Sequence, residues 1–96
     1  MYLKIYKNRE HVLVAACDKE VLGKTLKNGN TVIEISRAFY EGEYVSEEEL
    51  QKALPNATTA NIFGEKTIKC AIECGLIDQD SVILIDGVPH AQIFRI

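Results

Sequence analysis

Residues 2–7 alternate Tyr or Lys with Leu and Ile, the period-two pattern of a strand buried on one face. Lys7-Asn8-Arg9-Glu10 supplies a turn, and Val12–Cys17 follows as an unbroken apolar run. Together they predict an N-terminal β-hairpin whose second strand, lacking a polar face, is the more central one. Asp18 stands where an N-cap would, ahead of Lys19-Glu20-Val21-Leu22 with Leu26 one turn further on, so a short helical turn is expected. Lys27-Asn28-Gly29-Asn30 is a turn, and the β-branched Thr31-Val32-Ile33-Glu34-Ile35 is a third strand. Residues 36–45 show no clear period, and Glu41-Gly42-Glu43 reads as loop.

Ser46-Glu47-Glu48-Glu49 is the clearest helix start in the chain. The Ser hydroxyl can accept the Glu49 amide while the Glu49 carboxylate reaches back, and Val45 and Leu50 occupy the staple positions. Three glutamates also sit at the positive end of the helix dipole, and Pro55 stops the helix. Ala60, Gly64, Ile68, Ala71 and Ile72 recur at helical spacing, which predicts a second, longer helix from Asn56 to Gly75. Gly64 inside it would cost about 1 kcal/mol relative to Ala, offset by close approach of the helix to the sheet. Asp78–Ser81 is a polar loop, Val82–Ile85 a short buried strand, and Asp86-Gly87 a hairpin turn leading to a last strand around His90–Arg95. The sum is an α+β fold: one domain over residues 1–96, with an antiparallel-rich sheet of about five strands and two main helices packed on one face.

The last ten residues, Gly87–Ile96, place His90 and Gln92 on an otherwise apolar strand. Polar groups there are unfavourable unless hydrogen-bonded, so the segment is either a structural polar network or the lip of a site. The 96-residue length suits a single core, and 47% hydrophobic with 26% charged residues is the balance of a globular protein, not a disordered one. The longest apolar run, Val12–Cys17, is far short of the roughly 20 residues a membrane span needs. The first residues lack the apolar core of a secretion signal. A cytoplasmic protein without membrane association is expected.

Charge is uneven: residues 1–30 carry six Lys/Arg against three acids, within a whole-chain net of −3. Lys4, Lys7, Arg9, Lys19, Lys24 and Lys27 therefore form either a local positive face or an ordinary solvated exterior. Cys17, Cys70 and Cys74 are odd in number and read as reduced, buried thiols.

Candidate chemistry is incomplete at every position. Gly23-Lys24-Thr25 follows a strand as the end of a phosphate-binding loop would, but Asp18 occupies the place of that loop's first Gly and would repel phosphate. Cys70 and Cys74 are one i,i+4 pair where a zinc site usually shows two. Cys17 abuts Asp18, which disfavours a thiolate nucleophile. His90 reads as a hydrogen-bonded structural histidine or a lone general acid–base. Asn61, one turn before Glu65, either caps the long helix or presents its amide to a partner. No catalytic residue, metal or cofactor is assigned.

Several segments, in order along nearly the whole chain, resemble a small archaeal family called domain of unknown function 424. They are Ala15-Ala16-Cys17-Asp18, Leu22-Gly23-Lys24, Phe39-Tyr40 with Gly42, Ala60-Asn61 with Gly64-Glu65, Ala71-Ile72 with Gly75, and Val88-Pro89-His90-Ala91-Gln92. The last is the most specific. The resemblance implies an archaeal cytosolic origin and a compact stand-alone domain, and it transfers no activity.

The expected function is a non-enzymatic binding module for protein or RNA, associated with translation or RNA processing. It would use the basic N-terminal third, Lys24 and Lys27 included, with His90 and Gln92 near the contact surface. The alternative is a small enzyme or ligand-binding protein whose pocket collects His90, Gln92, Asn61, Cys17 and Asp18. A homodimer through the C-terminal strand is a further expectation, because a terminal strand can leave a sheet edge unpaired.

Overall fold

The computed structural model describes residues 1–95; Ile96, the end of the C-terminal stretch singled out above, lies outside them. The N-terminal alternation folds as the expected hairpin: β1 (Tyr2–Asn8) pairs antiparallel with β2 (His11–Cys17). Arg9 takes a positive φ of 57° in the connecting turn. Val14, Ala15, Ala16 and Cys17 are all fully buried, as a strand covered on both faces requires.

The next segment departs from expectation. Lys19–Val21 forms one turn of 3-10 helix, and Asp18 makes no side-chain cap to it. Leu26 belongs to a strand, not to that turn: β3 (Thr25–Asn28) pairs with β4 (Thr31–Glu34) in a separate two-stranded hairpin. The β-branched run at Thr31 is thus a strand, but outside the main sheet. The unassigned residues 36–45 contain a single helical turn, α1 (Arg37–Tyr40), capped by the Ser36 hydroxyl, and β5 (Glu43–Tyr44).

Helix α2 (Glu47–Ala53) starts with the expected capping box, Ser46 Oγ accepting from the Glu49 amide at 3.2 Å and Glu49 Oε1 accepting from the Ser46 amide at 3.2 Å. Val45 and Leu50 are both buried in one cluster, as a staple should be. The α-helix ends at Ala53, and Leu54–Asn56 closes it as a 3-10 turn containing Pro55.

A single helix from Asn56 to Gly75 does not exist. Thr59–Phe63 is strand β6, and only Glu65–Glu73 is helical, as α3. β6 is central: it pairs parallel with β2 and antiparallel with β8 (Val88–Phe94). Ala60 and Ile68 both point into the same core, one from a strand and one from a helix, which imitated a helical stripe. β7 (Ile83–Ile85) completes the sheet, joined to β8 by the expected Asp86-Gly87 turn with φ of 51° and 79°.

Among the described residues the main sheet therefore has six strands, in the order β5-β1-β2-β6-β8-β7, where about five were expected. The two longer helices do pack on one face, over Leu3, Val14, Ala16, Ala60, Ile62, Ala91 and Ile93. The opposite face is not bare. The β3–β4 hairpin and α1 cover its upper half, with Leu26, Ile35 and Tyr40 over Ala15, Cys17, Phe63, Ile85 and Val88. The C-terminal strand is also not a free edge along its length: Val88–His90 pairs with β7 and His90–Phe94 with β6, so among the described residues Ala91–Phe94 keeps an unpaired flank.

Candidate functional site

Asp18 leaves the end of β2, and its carboxylate turns to the start of α3. Oδ2 accepts from the Lys66 amide at 3.0 Å; Oδ1 accepts from the Thr67 amide at 2.8 Å and the Thr67 hydroxyl at 2.7 Å. Asp18 and Thr67 are both buried. The carboxylate thus satisfies orphan amides at the positive end of a helix from 48 residues away in sequence. Gly64, with φ 109°, lets the strand-to-helix junction come against it. Asp18 is a helix cap, and its oxygens are spent on that role.

His90 is buried, with its ring stacked on Phe63 at 4.0 Å between centroids and 19° between planes. Nδ1 lies 2.8 Å from the Ile62 carbonyl oxygen. A carbonyl only accepts, so Nδ1 carries the proton. Burial pulls the imidazole pKa down, against the opposing pull of that carbonyl. Because the folded value lies below the ordinary 6.5, the stabilisation is intact above that value and is lost as pH falls through it. The thermal midpoint of the wild type is accordingly expected to fall more steeply between about pH 7 and 5 than that of His90→Gln, followed by circular dichroism. Equal slopes would contradict a neutral buried His90.

Asn61 and Gln92 face each other across β6 and β8, Gln92 Nε2 donating to Asn61 Oδ1 at 2.9 Å. Asn61 therefore caps no helix; it is a cross-strand partner on the sheet face opposite α2 and α3. Register places these residues in two neighbouring rows of that face. One runs Tyr6–Leu13–Thr59–Phe94 across β1, β2, β6 and β8, and the next runs Lys4–Ala15–Asn61–Gln92. The hairpin and α1 cover Ala15, and α1 also reaches Lys4, whose Nζ donates to the Ala38 carbonyl at 2.9 Å, but the other end stays open: Gln92 is exposed, Phe94 is 75% exposed, and Leu13, Thr59 and Asn61 are half-buried. Tyr6 stacks on Phe39 at 5.1 Å and donates its hydroxyl to the Phe39 carbonyl at 2.8 Å, so α1 forms one wall of the open area.

The other named residues are dispersed. Lys24 and Lys27 are exposed on and beside the β3–β4 hairpin, on the same side of the sheet, and the Lys27 amide donates to Asp86 Oδ2 at 3.4 Å. Cys17 is buried in one cluster with Tyr40 and Phe63, its thiol pKa pushed up to about 12 by burial, with the Asp18 charge adding to the effect. Such a thiol is almost wholly protonated near neutrality and is a poor nucleophile. Cys70 and Cys74 face α2 through the Glu47 and Gln51 carbonyls, and burial raises both, Cys70 to about 11. Among the described residues no group of three His, Cys, Asp or Glu side chains is arranged to hold a metal ion.

A shallow hollow of about 220 Å³ holds His90 and Gln92 with Ser81, Ile83 and Ala91. Asp18 lines a different hollow, of about 320 Å³, beside Gly64 and Val88. Asn61 and Cys17 line neither of these. Of the named residues, then, His90, Gln92 and Asn61 come together as neighbours on one sheet face, whereas Asp18 and Cys17 serve the interior. Phe94, Leu13 and Tyr6 belong to the open face and were not singled out from sequence. The signal for Phe94 was present: it continues the His90, Gln92 period of two.

The fold is similar to that of an uncharacterised conserved protein from Methanopyrus kandleri, known from its crystal structure, with a TM-score of 0.82 and 26% identity over 99% of this chain and 92% of that one. No curated protein matches the chain. Among the described residues no helix is long and apolar enough to cross a membrane. The model of the family described as "Protein of unknown function (DUF424)" matches residues 6–96, and the chain belongs to that family.

Proposed function

We propose that the chain is a non-enzymatic binding module of the archaeal cytosol, engaging RNA in the translation or RNA-processing apparatus. The Methanopyrus kandleri neighbour supports the archaeal source. One contrast carries the functional proposal. The titratable candidates Asp18, Cys17 and His90 are consumed by capping, core packing and stacking, while the amide pair Asn61–Gln92 stands on an uncovered sheet face. Lys24 and Lys27, exposed on the same side of the sheet, supply charge. RNA is favoured over a protein partner because that side combines lysines with amides and an aromatic ring.

A pocket role for His90, Gln92, Asn61 and Cys17 has less behind it, since a catalytic set needs convergence on one cavity, and Cys17 is fully buried in the core while the hollow holding His90 and Gln92 includes neither Cys17 nor Asn61.

The test is a salt series of RNA binding by the wild type and by the double variant Lys24→Glu/Lys27→Glu. The double variant is expected to bind roughly tenfold more weakly at low salt and to show a log–log salt slope reduced by about 2. RNA affinity unaffected by salt and by both substitutions would refute the proposal.

A further inference from the structure

We infer, resting on the RNA-binding reading above, that the uncovered half of the sheet is a platform for single-stranded RNA, bases stacking on Phe94 and meeting the Asn61–Gln92 amides. The row containing Phe94 crosses four strands at about 4.8 Å spacing, roughly 14 Å in all. Sheets of that width hold two or three unstacked bases on aromatic side chains. Phe94, 75% exposed on a strand that buries Val88, His90, Ala91 and Ile93, is the ring such a base would cover. Beside it the amide pair offers both donors and acceptors at the height of a base edge.

Charge fits a polyanion. The strand positions of both rows include Lys4 and no carboxylate, and Arg9 is exposed at the adjoining turn, with Glu10 as its neighbour. Glu41, by α1, is already paired with Arg37 at 3.2 Å. Glu47, Glu48, Glu49, Glu65 and Glu73 belong to the helices of the opposite face. A strand of RNA laid along the two rows meets Lys4 and the amides, and the acids on this side, Glu10, Glu34, Glu41 and Asp86, stand outside the rows at the turn, the hairpin and α1. A duplex hides its base faces and would leave Phe94 nothing to stack on.

Fluorescence anisotropy with short labelled oligouridylate, oligoadenylate and a self-complementary RNA duplex tests the platform. Both single strands are expected to bind at least about tenfold more tightly than the duplex. Phe94→Ala should weaken single-strand binding about tenfold and Gln92→Ala about threefold, each with an unchanged thermal midpoint because both side chains are exposed. Glu48→Gln, on α2, should leave affinity unchanged or slightly raised. Equal affinity for the duplex, or indifference to Phe94→Ala, overturns the platform. So does sedimentation showing a stable dimer that Phe94→Ala dissociates, since a second copy would then cover the face. Salt-dependent RNA binding that ignores Phe94 and Gln92 removes the platform and leaves the broader proposal standing; absence of RNA binding removes both.

Discussion

Gly64→Ala is expected to lower folding stability by about 3–5 kcal/mol, enough to shift the thermal midpoint of a domain this size by more than about 10 °C. Two effects add. Gly64 has φ 109° and ψ 154°, a conformation L side chains rarely adopt. A Cβ there would also fall on the Asp18 side chain, 2.7 Å from Oδ1, inside a contact that packing permits. The junction cannot relax freely, because the Gly64 amide donates to the Pro89 carbonyl at 2.8 Å and the Gly64 carbonyl accepts the first helical bond, from Ile68 at 3.0 Å. Urea unfolding measures the loss directly, and a loss under about 1 kcal/mol would show that the junction is not strained as described.

Asp18→Ala is expected to destabilise by about 3–4 kcal/mol. It removes an ionised acceptor from the Lys66 amide, the Thr67 amide and the buried Thr67 hydroxyl at once, and no nearby side chain replaces it. Asp18→Asn keeps one acceptor oxygen but turns an amide donor toward a donor, and about half the loss is expected. The effect should be local first: amide exchange at Lys66, Thr67 and Ile68 should accelerate more than in β2. Uniform acceleration throughout the sheet would deny Asp18 a specific capping role. Combined with Gly64→Ala, the losses should fall short of additivity by about 1 kcal/mol, since deleting the carboxylate removes part of the clash.

Features set by local chemistry were legible in the sequence. The β1–β2 hairpin follows from alternation and a turn, the start of α2 from its capping box, and the Asp86-Gly87 turn from residues that tolerate positive φ. Features set by distant partners were not. β6 alternates over only four residues, half-buried Thr59 and Asn61 against buried Ala60 and Ile62, too short a run to outweigh the spacing by which Ala60 fell into register with Ile68 as if on one helix. Thr58, Thr59, Ile62 and Phe63 carried a β-former signal, and Gly64 marked a boundary, but parallel pairing with β2 is non-local and leaves no trace in the segment itself. Asp18 was legible as a cap, yet the helix it caps lies far along the chain. Asn61 was singled out as a helix residue and matters as a strand residue, because pairing with Gln92 depends on the same non-local register. His90 was legible as a structural histidine; the burial that keeps it neutral depends on Phe63, which only the fold brings beneath it.

The open sheet face links the fold to the proposed role, and amide chemical-shift mapping addresses it most directly. Titrating a short oligouridylate into isotopically labelled protein at low salt should move the resonances of Tyr6, Leu13, Asn61, Gln92 and Phe94, neighbours in the two register rows. Resonances of α2 and α3 should stay in place. Shifts confined to those helices, or none at concentrations that saturate a weak site, would contradict the account.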